Sequence, residues 1–309
     1  MKIGIIGAGA VGAACLTAVV LRRFAQEVIV LDRDHKKAQG LVADVQYGAT
    51  LSSGTDVRYG DYADLMDASL VMITAGVNEK TGGATDRSDP AGRLRLLDTN
   101  VDVYKDIVPK LHAAAPEALV LVVSDPPDPL ADVVRMLGHE YVLSTGTYLD
   151  SLRFRFHLAR RLRVNANSIE AQILGEHGTS EVFIWSARIA GTPVREMLLR
   201  SSQSWDEIRG QVEQDVRYAN ITIIEGIGAS QHGIGMVSAR IAEIVLRDEH
   251  AVIPVGSYHP RYGVTLSVPT VVGRDGPLQV LEPEMSEEEQ QALQRSADTL
   301  KAAGRRISI

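Results

Sequence analysis

Two short segments hold the side chains best suited to chemistry: Leu149-Asp150-Ser151-Leu152-Arg153 and Gly175-Glu176-His177-Gly178. Together they offer a carboxylate, a guanidinium and an imidazole. A carboxylate beside an imidazole selects one tautomer and favours its protonated form. An Arg matches a substrate carboxylate with two parallel hydrogen bonds. An imidazole that titrates near neutrality gives or takes the proton that accompanies a redox step at carbon. Taken singly, an Asp–Arg pair is a salt bridge and a His is a solvated or core side chain. The motifs around Asp150, Arg153 and His177 lift them above that.

A glycine-rich start supplies the redox partner. Gly7-Ala8-Gly9-Ala10-Val11-Gly12 follows a strand-like run and opens a helix. Glycines there permit a tight turn and let the backbone approach a pyrophosphate, whose charge meets the helix N-terminus. Asp32 closes the next strand twenty positions after Gly12, where a carboxylate accepts hydrogen bonds from a ribose diol and repels a 2′-phosphate. NAD is therefore expected rather than NADP. Thr74, Ala75 and Gly76 end a later strand at the same sheet edge and are expected beside the cofactor, as is Ser124. Combined with the catalytic groups, this points to nicotinamide-dependent chemistry on a 2-hydroxy acid.

The elements that position these residues follow from hydrophobic pattern. Strand runs at 2–6, 27–31, 57–59, 69–74, 118–124 and 141–144 are apolar on both faces and alternate with helical stretches such as 11–24 and 35–47. This is an α/β pattern, a doubly wound parallel sheet of Rossmann type. After about residue 147 helices at 151–162, 205–226, 235–246 and 286–303 flank short strands near 169–174, 251–258 and 265–272, as in an α+β unit. The reading is an NAD-binding domain over 1–146 and a catalytic, substrate-binding domain over 147–309, with a shared cleft.

Bulk properties narrow the alternatives. A net charge of -7 argues against a nucleic-acid surface or a polybasic membrane contact. The single cysteine, Cys15, excludes an internal disulfide and suits a reducing, cytoplasmic setting as a buried small hydrophobe. No metal-ligand cluster, signal peptide or membrane span is expected.

In order along the chain, GAGAVG, the Asp after the second strand, ITAG, a basic loop helix, VVSDP, LDSLRFR, GEHG, GIGM and PTVVGRDG make the chain resemble the lactate/malate dehydrogenase family over essentially its whole length. The resemblance implies that His177 donates and accepts the proton, Asp150 orients it, Arg153 grips the substrate carboxylate, and Arg93 on a closing loop polarises the carbonyl. It also implies a homodimer or homotetramer.

Three departures bear on the substrate. Asp125 stands where the family has Asn; an ionised Asp cannot donate to the substrate oxygen, so it is protonated, or meets a cation, or its neighbours reorganise. The loop from Gly76 to Arg93 is longer than the family's by about eight residues. It carries Glu79 at the position where Gln accompanies lactate and Arg accompanies malate; Glu79 either faces the substrate or is carried into solvent. Ser230 replaces a small residue or Thr on the pocket wall. The chain resembles the sugar-bisphosphate-activated members of the family at Arg155. Where they carry a His, seven residues before the catalytic one, it has Glu170, which would repel a phosphate, so no such activation is expected.

The leading expectation is an L-lactate dehydrogenase-like enzyme acting on a small 2-hydroxy or 2-oxo acid. The alternatives are an imine or amine-bearing 2-oxo-acid reductase using Asp125 and Glu79, a malate dehydrogenase, and an NAD-binding module without catalysis. Met236 and His232 are expected to pack, and Trp185 and Trp205 to serve packing or an interface.

Overall fold

The computed structural model describes residues 1–51, 54–89, 91–200 and 204–308. Six parallel strands, β1 (Lys2–Ile6), β2 (Glu27–Leu31), β3 (Asp56–Tyr59), β4 (Leu70–Ile73), β5 (Leu119–Val122) and β6 (Val142–Ser144), lie in the order 3-2-1-4-5-6. That order is the doubly wound Rossmann arrangement. Alternation within each strand explains the burial: Val28 and Val30 enter one core while Ile29 and Leu31 enter the other. Helices α1 (Ala10–Arg22) and α2 (His35–Ala49) cover one face; α3 (Leu97–Ala114) and α4 (Pro127–Met136) cover the opposite one.

The second half begins with α5 (Tyr148–Leu162). Four two-residue strands follow: β7 (Ile173–Leu174), β8 (Val182–Phe183), β9 (Arg188–Ile189) and β10 (Thr192–Pro193). Then come α6 (Val194–Leu198), α7 (Trp205–Arg217), α8 (Ala219–Ile227), α9 (His232–Arg247), the antiparallel strands β11 (Ala251–His259), β12 (Val264–Gly273) and β13 (Gly276–Val280), and α10 (Glu287–Gly304).

Three features differ from the sequence reading. The helix expected over 205–226 is two helices that meet at Tyr218. Strand pairing over 169–174 contracts to Ile173–Leu174, with one isolated bridge at Glu170. Met236 is 65% exposed, because α9 turns Gly235, Val237 and Ser238 inward.

The two halves are also tied together closely. Strand β11 pairs with β6 through Gly256 and Ser144, so β11–β13 extend the parallel sheet to nine strands. Helix α9 packs on α1, and a Cβ at Gly235 would lie 2.6 Å from that of Ala14. Only glycine permits that approach, and it brings the start of α9 beside the glycine loop. Trp185 does pack, edge to face on Phe154 and Trp205. Among the described residues no helix is long and apolar enough to cross a membrane.

Candidate active site

The glycine turn joins β1 to α1. A Cβ at Gly12 would fall 1.9 Å from the Gly7 carbonyl oxygen, so glycine is required for the turn itself. At Gly9 a Cβ would meet only Lys37 Nζ, at 4.0 Å. The space above Gly9 is thus open for another group. Gly9 caps α1 without a side-chain hydrogen bond, which leaves first-turn N–H groups for an anion. Thr74 Oγ1 donates to the Gly7 carbonyl at 2.9 Å and Ser124 Oγ to the Ala75 carbonyl at 2.6 Å, locking adjacent strand ends to the turn. Asp32 accepts from the backbone N–H of Ala8 at 2.7 Å and of Asp34 at 2.9 Å. Its carboxylate is therefore fixed beside the turn. A bare helix N-terminus, an open Gly9 and a fixed acid at the next strand end fit a dinucleotide.

Between this turn and α5 lies a cavity of about 90 Å³ lined by Glu79, Arg93, Asp125, Arg153, His177 and Ser230, together with Val11, Thr74, Gly76 and Ser124. Helix α5 places Asp150 and Arg153 one turn apart, and Arg153 Nη1 donates to Asp150 Oδ1 at 2.8 Å. The segment after β7 delivers His177, whose Nδ1 makes a short contact with Asp150 Oδ2. Its backbone N–H donates to Asp128 Oδ2 at 3.2 Å. With Nδ1 committed to Asp150, Nε2 is the nitrogen left for substrate.

Burial and Arg93 work against the imidazolium, yet Asp150 and Asp125 outweigh them, and His177 titrates above the ordinary histidine value. Asp150 shows the mirror effect: burial opposes its charge, but His177, Arg153 and Arg93 hold it well below the usual carboxylate range.

The competing arginines separate cleanly. Arg93, in the 3₁₀ turn Gly92–Leu96, is turned inward with its side chain 11% exposed and lines the cavity. Arg87 instead pairs with Glu225, and Arg95 with Asp89. Asp125 lies between two cations, with Oδ2 at 3.4 Å from Arg93 Nε and Oδ1 at 3.7 Å from His177 Nε2. The second of the three possibilities raised by its sequence position is the one this geometry supports. Glu79 also lines the cavity, and burial and the Asp125 charge push its pKa up to about 7.

Several residues of the site have no place in the sequence reading. Asn220, at the start of α8, and Thr145 line the cavity. Asn100 is buried on α3 and clamps the loop root: it accepts from Val77 N–H at 2.7 Å and donates to the Asp125 carbonyl at 2.6 Å. Asp128 is buried beneath His177, takes a 2.6 Å bond from Ser144 Oγ, and is pushed by burial up to about 7. Glu181 is buried behind the couple, 3.9 Å from Arg217, and burial and Asp150 push it up to about 8. The signal for Asn100 was a polar residue on an otherwise apolar helix stripe; Asp128, with Asp132 and Arg135 on its own face of α4, had none. Cys15 is buried, with its thiol pushed up to about 12, and takes no part.

Family models match both halves: the lactate/malate dehydrogenase NAD-binding domain over residues 1–141 and the lactate/malate dehydrogenase α/β C-terminal domain over 147–307. The chain belongs to the lactate/malate dehydrogenase family. Within that family it is 40% identical to an L-lactate dehydrogenase of Deinococcus radiodurans, with all of both chains covered. It is 39% identical to an L-lactate dehydrogenase of Thermus aquaticus over 98% of each. Among solved structures, a minor L-lactate dehydrogenase of Enterococcus mundtii in a ligands-bound form superimposes with a TM-score of 0.90 at 30% identity, covering 100% of this chain and 98% of that one. The family is one of NAD-linked oxidoreductases acting on CH–OH, and this lactate/malate dehydrogenase retains an Asp–His couple and two cavity arginines.

Proposed function

We propose that the chain is an NAD-dependent L-2-hydroxy-acid dehydrogenase of the lactate type, interconverting a small 2-hydroxy acid and its 2-oxo acid. The observation that carries this is the committed Asp150–His177 couple with Nε2 facing a cavity that Arg153 and Arg93 also line. The nicotinamide, when bound, supplies or takes the hydride at C2. Gly7, Gly9, Ala10, Val11 and Gly12 would cradle its pyrophosphate and Asp32 its ribose, with Thr74, Ala75, Gly76 and Ser124 alongside.

The chain's own residues do the rest. Arg153 spends one N–H on Asp150 and keeps a face of its guanidinium for the substrate carboxylate. In reduction the imidazolium of His177 passes its Nε2 proton to the C2 oxygen; in oxidation the neutral ring takes it back. Asp150 stabilises the ring when charged and fixes its tautomer. Arg93 stabilises charge developing on the oxygen. Asp125 offsets part of that cationic field through its contacts to Arg93 and His177.

The expected assembly is a homodimer or homotetramer; light scattering in solution reads the state. The activity test is NADH oxidation across a panel of 2-oxo acids. Turnover that is saturable in the acid and abolished in His177→Ala supports the proposal. Tight NADH binding without turnover of any member would overturn it in favour of a binding module.

A further inference from the structure

Both nitrogens of the His177 ring lie near a carboxylate oxygen. Nδ1 contacts Asp150 Oδ2, and Nε2 lies 3.7 Å from Asp125 Oδ1. A neutral imidazole carries a single N–H, and Asp150 claims it. Its Nε2 lone pair would then lie beside a second anion with no proton between them. The imidazolium has an N–H on each side and suits both carboxylates at once. An amide in place of Asp125 could offer its own N–H to a neutral Nε2, so the preference for one protonation state comes from the carboxylate.

Asp125 is held where it stands. Its carbonyl accepts from Asn100 Nδ2 at 2.6 Å, and Pro126 and Pro127 stiffen the entry to α4. Its Oδ2 lies 3.4 Å from Arg93 Nε, a buried N–H with no hydrogen-bond partner among the described residues. Asp125 therefore sits against the two donors that a substrate C2 oxygen needs. The other charges around the ring have separate tasks. Arg93 opposes the imidazolium, Arg153 is paired with Asp150, and Asp128 takes the His177 backbone N–H. Glu79 across the cavity and Glu181 behind the couple are pushed toward their neutral forms by burial and by neighbouring carboxylates.

Resting on the dehydrogenase reading above, we infer that Asp125 is a catalytic residue that keeps the transferable proton on His177 Nε2 in the free enzyme and yields its place when a 2-oxo acid arrives. The C2 oxygen of the acid then becomes the acceptor for Nε2 and Arg93. C2 takes hydride from the dihydronicotinamide, the Nε2–H bond breaks, and the new O–H bond forms. The ring is left neutral, with Nε2 again beside the Asp125 carboxylate, and regains a proton from solvent. Reduction needs the charged ring and oxidation the neutral one, so Asp125 extends reduction to higher pH and holds oxidation back.

The test is the pH dependence of kcat/KM in both directions for the unmodified enzyme, Asp125→Asn and Asp125→Ala, with thermal melts to establish folding. The substrates are the best-used 2-oxo acid of the panel above, pyruvate first, with NADH, and the matching 2-hydroxy acid with NAD. Reduction falls as pH rises through the midpoint of the ring, and oxidation falls as pH drops through it. Both variants should move both midpoints downward, because the same ring governs both directions. At low pH Asp125→Asn should outpace Asp125→Ala in reduction, since an amide N–H can donate to the C2 oxygen and a methyl group cannot. Unmoved midpoints in a folded variant overturn the inference, as does an upward move in either direction of reaction. Absence of turnover of any 2-oxo acid by the unmodified enzyme would instead overturn the dehydrogenase reading beneath it.

Discussion

Asp150→Asn is the sharpest perturbation of the proposed mechanism, because it keeps the volume of the side chain and removes only its charge. In the folded protein Asp150 is 2% exposed and bonded to both His177 Nδ1 and Arg153 Nη1. Burial and Arg93 depress the His177 pKa, and Asp150 is the nearer of the two carboxylates that reverse this. Without it the balance tips toward the neutral ring, which has no proton to give. A positioned general acid contributes about 10²–10⁴-fold to rate, so kcat/KM for reduction should fall by roughly up to that factor. Reduction needs the protonated ring, so activity is lost as pH rises through the His177 pKa. Asp150→Asn should move that midpoint downward, because it removes a charge that favours the imidazolium. The assay is a stopped or steady-state pH profile of NADH oxidation, with a thermal melt to establish that the variant is folded. A folded variant with less than about a tenfold loss and an unmoved midpoint would refute the role of Asp150.

Other consequences are equally direct. Above about pH 7 Glu79 loses its proton beside Asp125, so KM for a monoanionic 2-oxo acid should rise with pH, and Glu79→Gln should flatten the rise; a parallel rise in the variant would refute this. Gly9→Ala adds a Cβ into open space and should leave the melting temperature unchanged while weakening NADH binding at least about tenfold by fluorescence titration. Gly12→Ala, which drives a Cβ into the Gly7 carbonyl, should instead lower the melting temperature. Asp128 has a folded pKa of about 7, above its unfolded value, so its contribution to stability is full at low pH and is lost as pH rises toward 7. Asp128→Asn should make the melting temperature less sensitive to pH between 5 and 8, and an unchanged slope would count against it.

How much of this could be read from the chain alone depended on the range of the interactions involved. The runs at 2–6 and 27–31 coincide with β1 and β2 end to end, because strands buried on both faces carry their signal locally in unbroken apolar runs. The helix break at Tyr218 carries no local mark: no Gly or Pro stands within seven residues of it, and the second helix carries Asn220 to the cavity. Joining β11 to β6 is a contact between residues 256 and 144, invisible to any window of sequence.

Glu79 is the instructive case. The loop around it, rich in Gly, Thr, Asp and Ser, has the composition of a solvated connection, and by that local criterion it belongs in water. What holds it inward is Asn100, on the stripe that also buries Leu97, Val101 and Tyr104. There an amide bonded to both Val77 and the Asp125 carbonyl draws the loop root onto the strand end. A polar side chain in an apolar stripe is affordable only where such bonds repay its burial, so Asn100 was the legible clue to where the loop goes. Asn100→Leu should therefore loosen Glu79 and Arg93 together, raising KM for any 2-oxo acid while sparing NADH affinity. Loss of NADH affinity to the same degree would mean that the amide supports the whole strand edge rather than the loop.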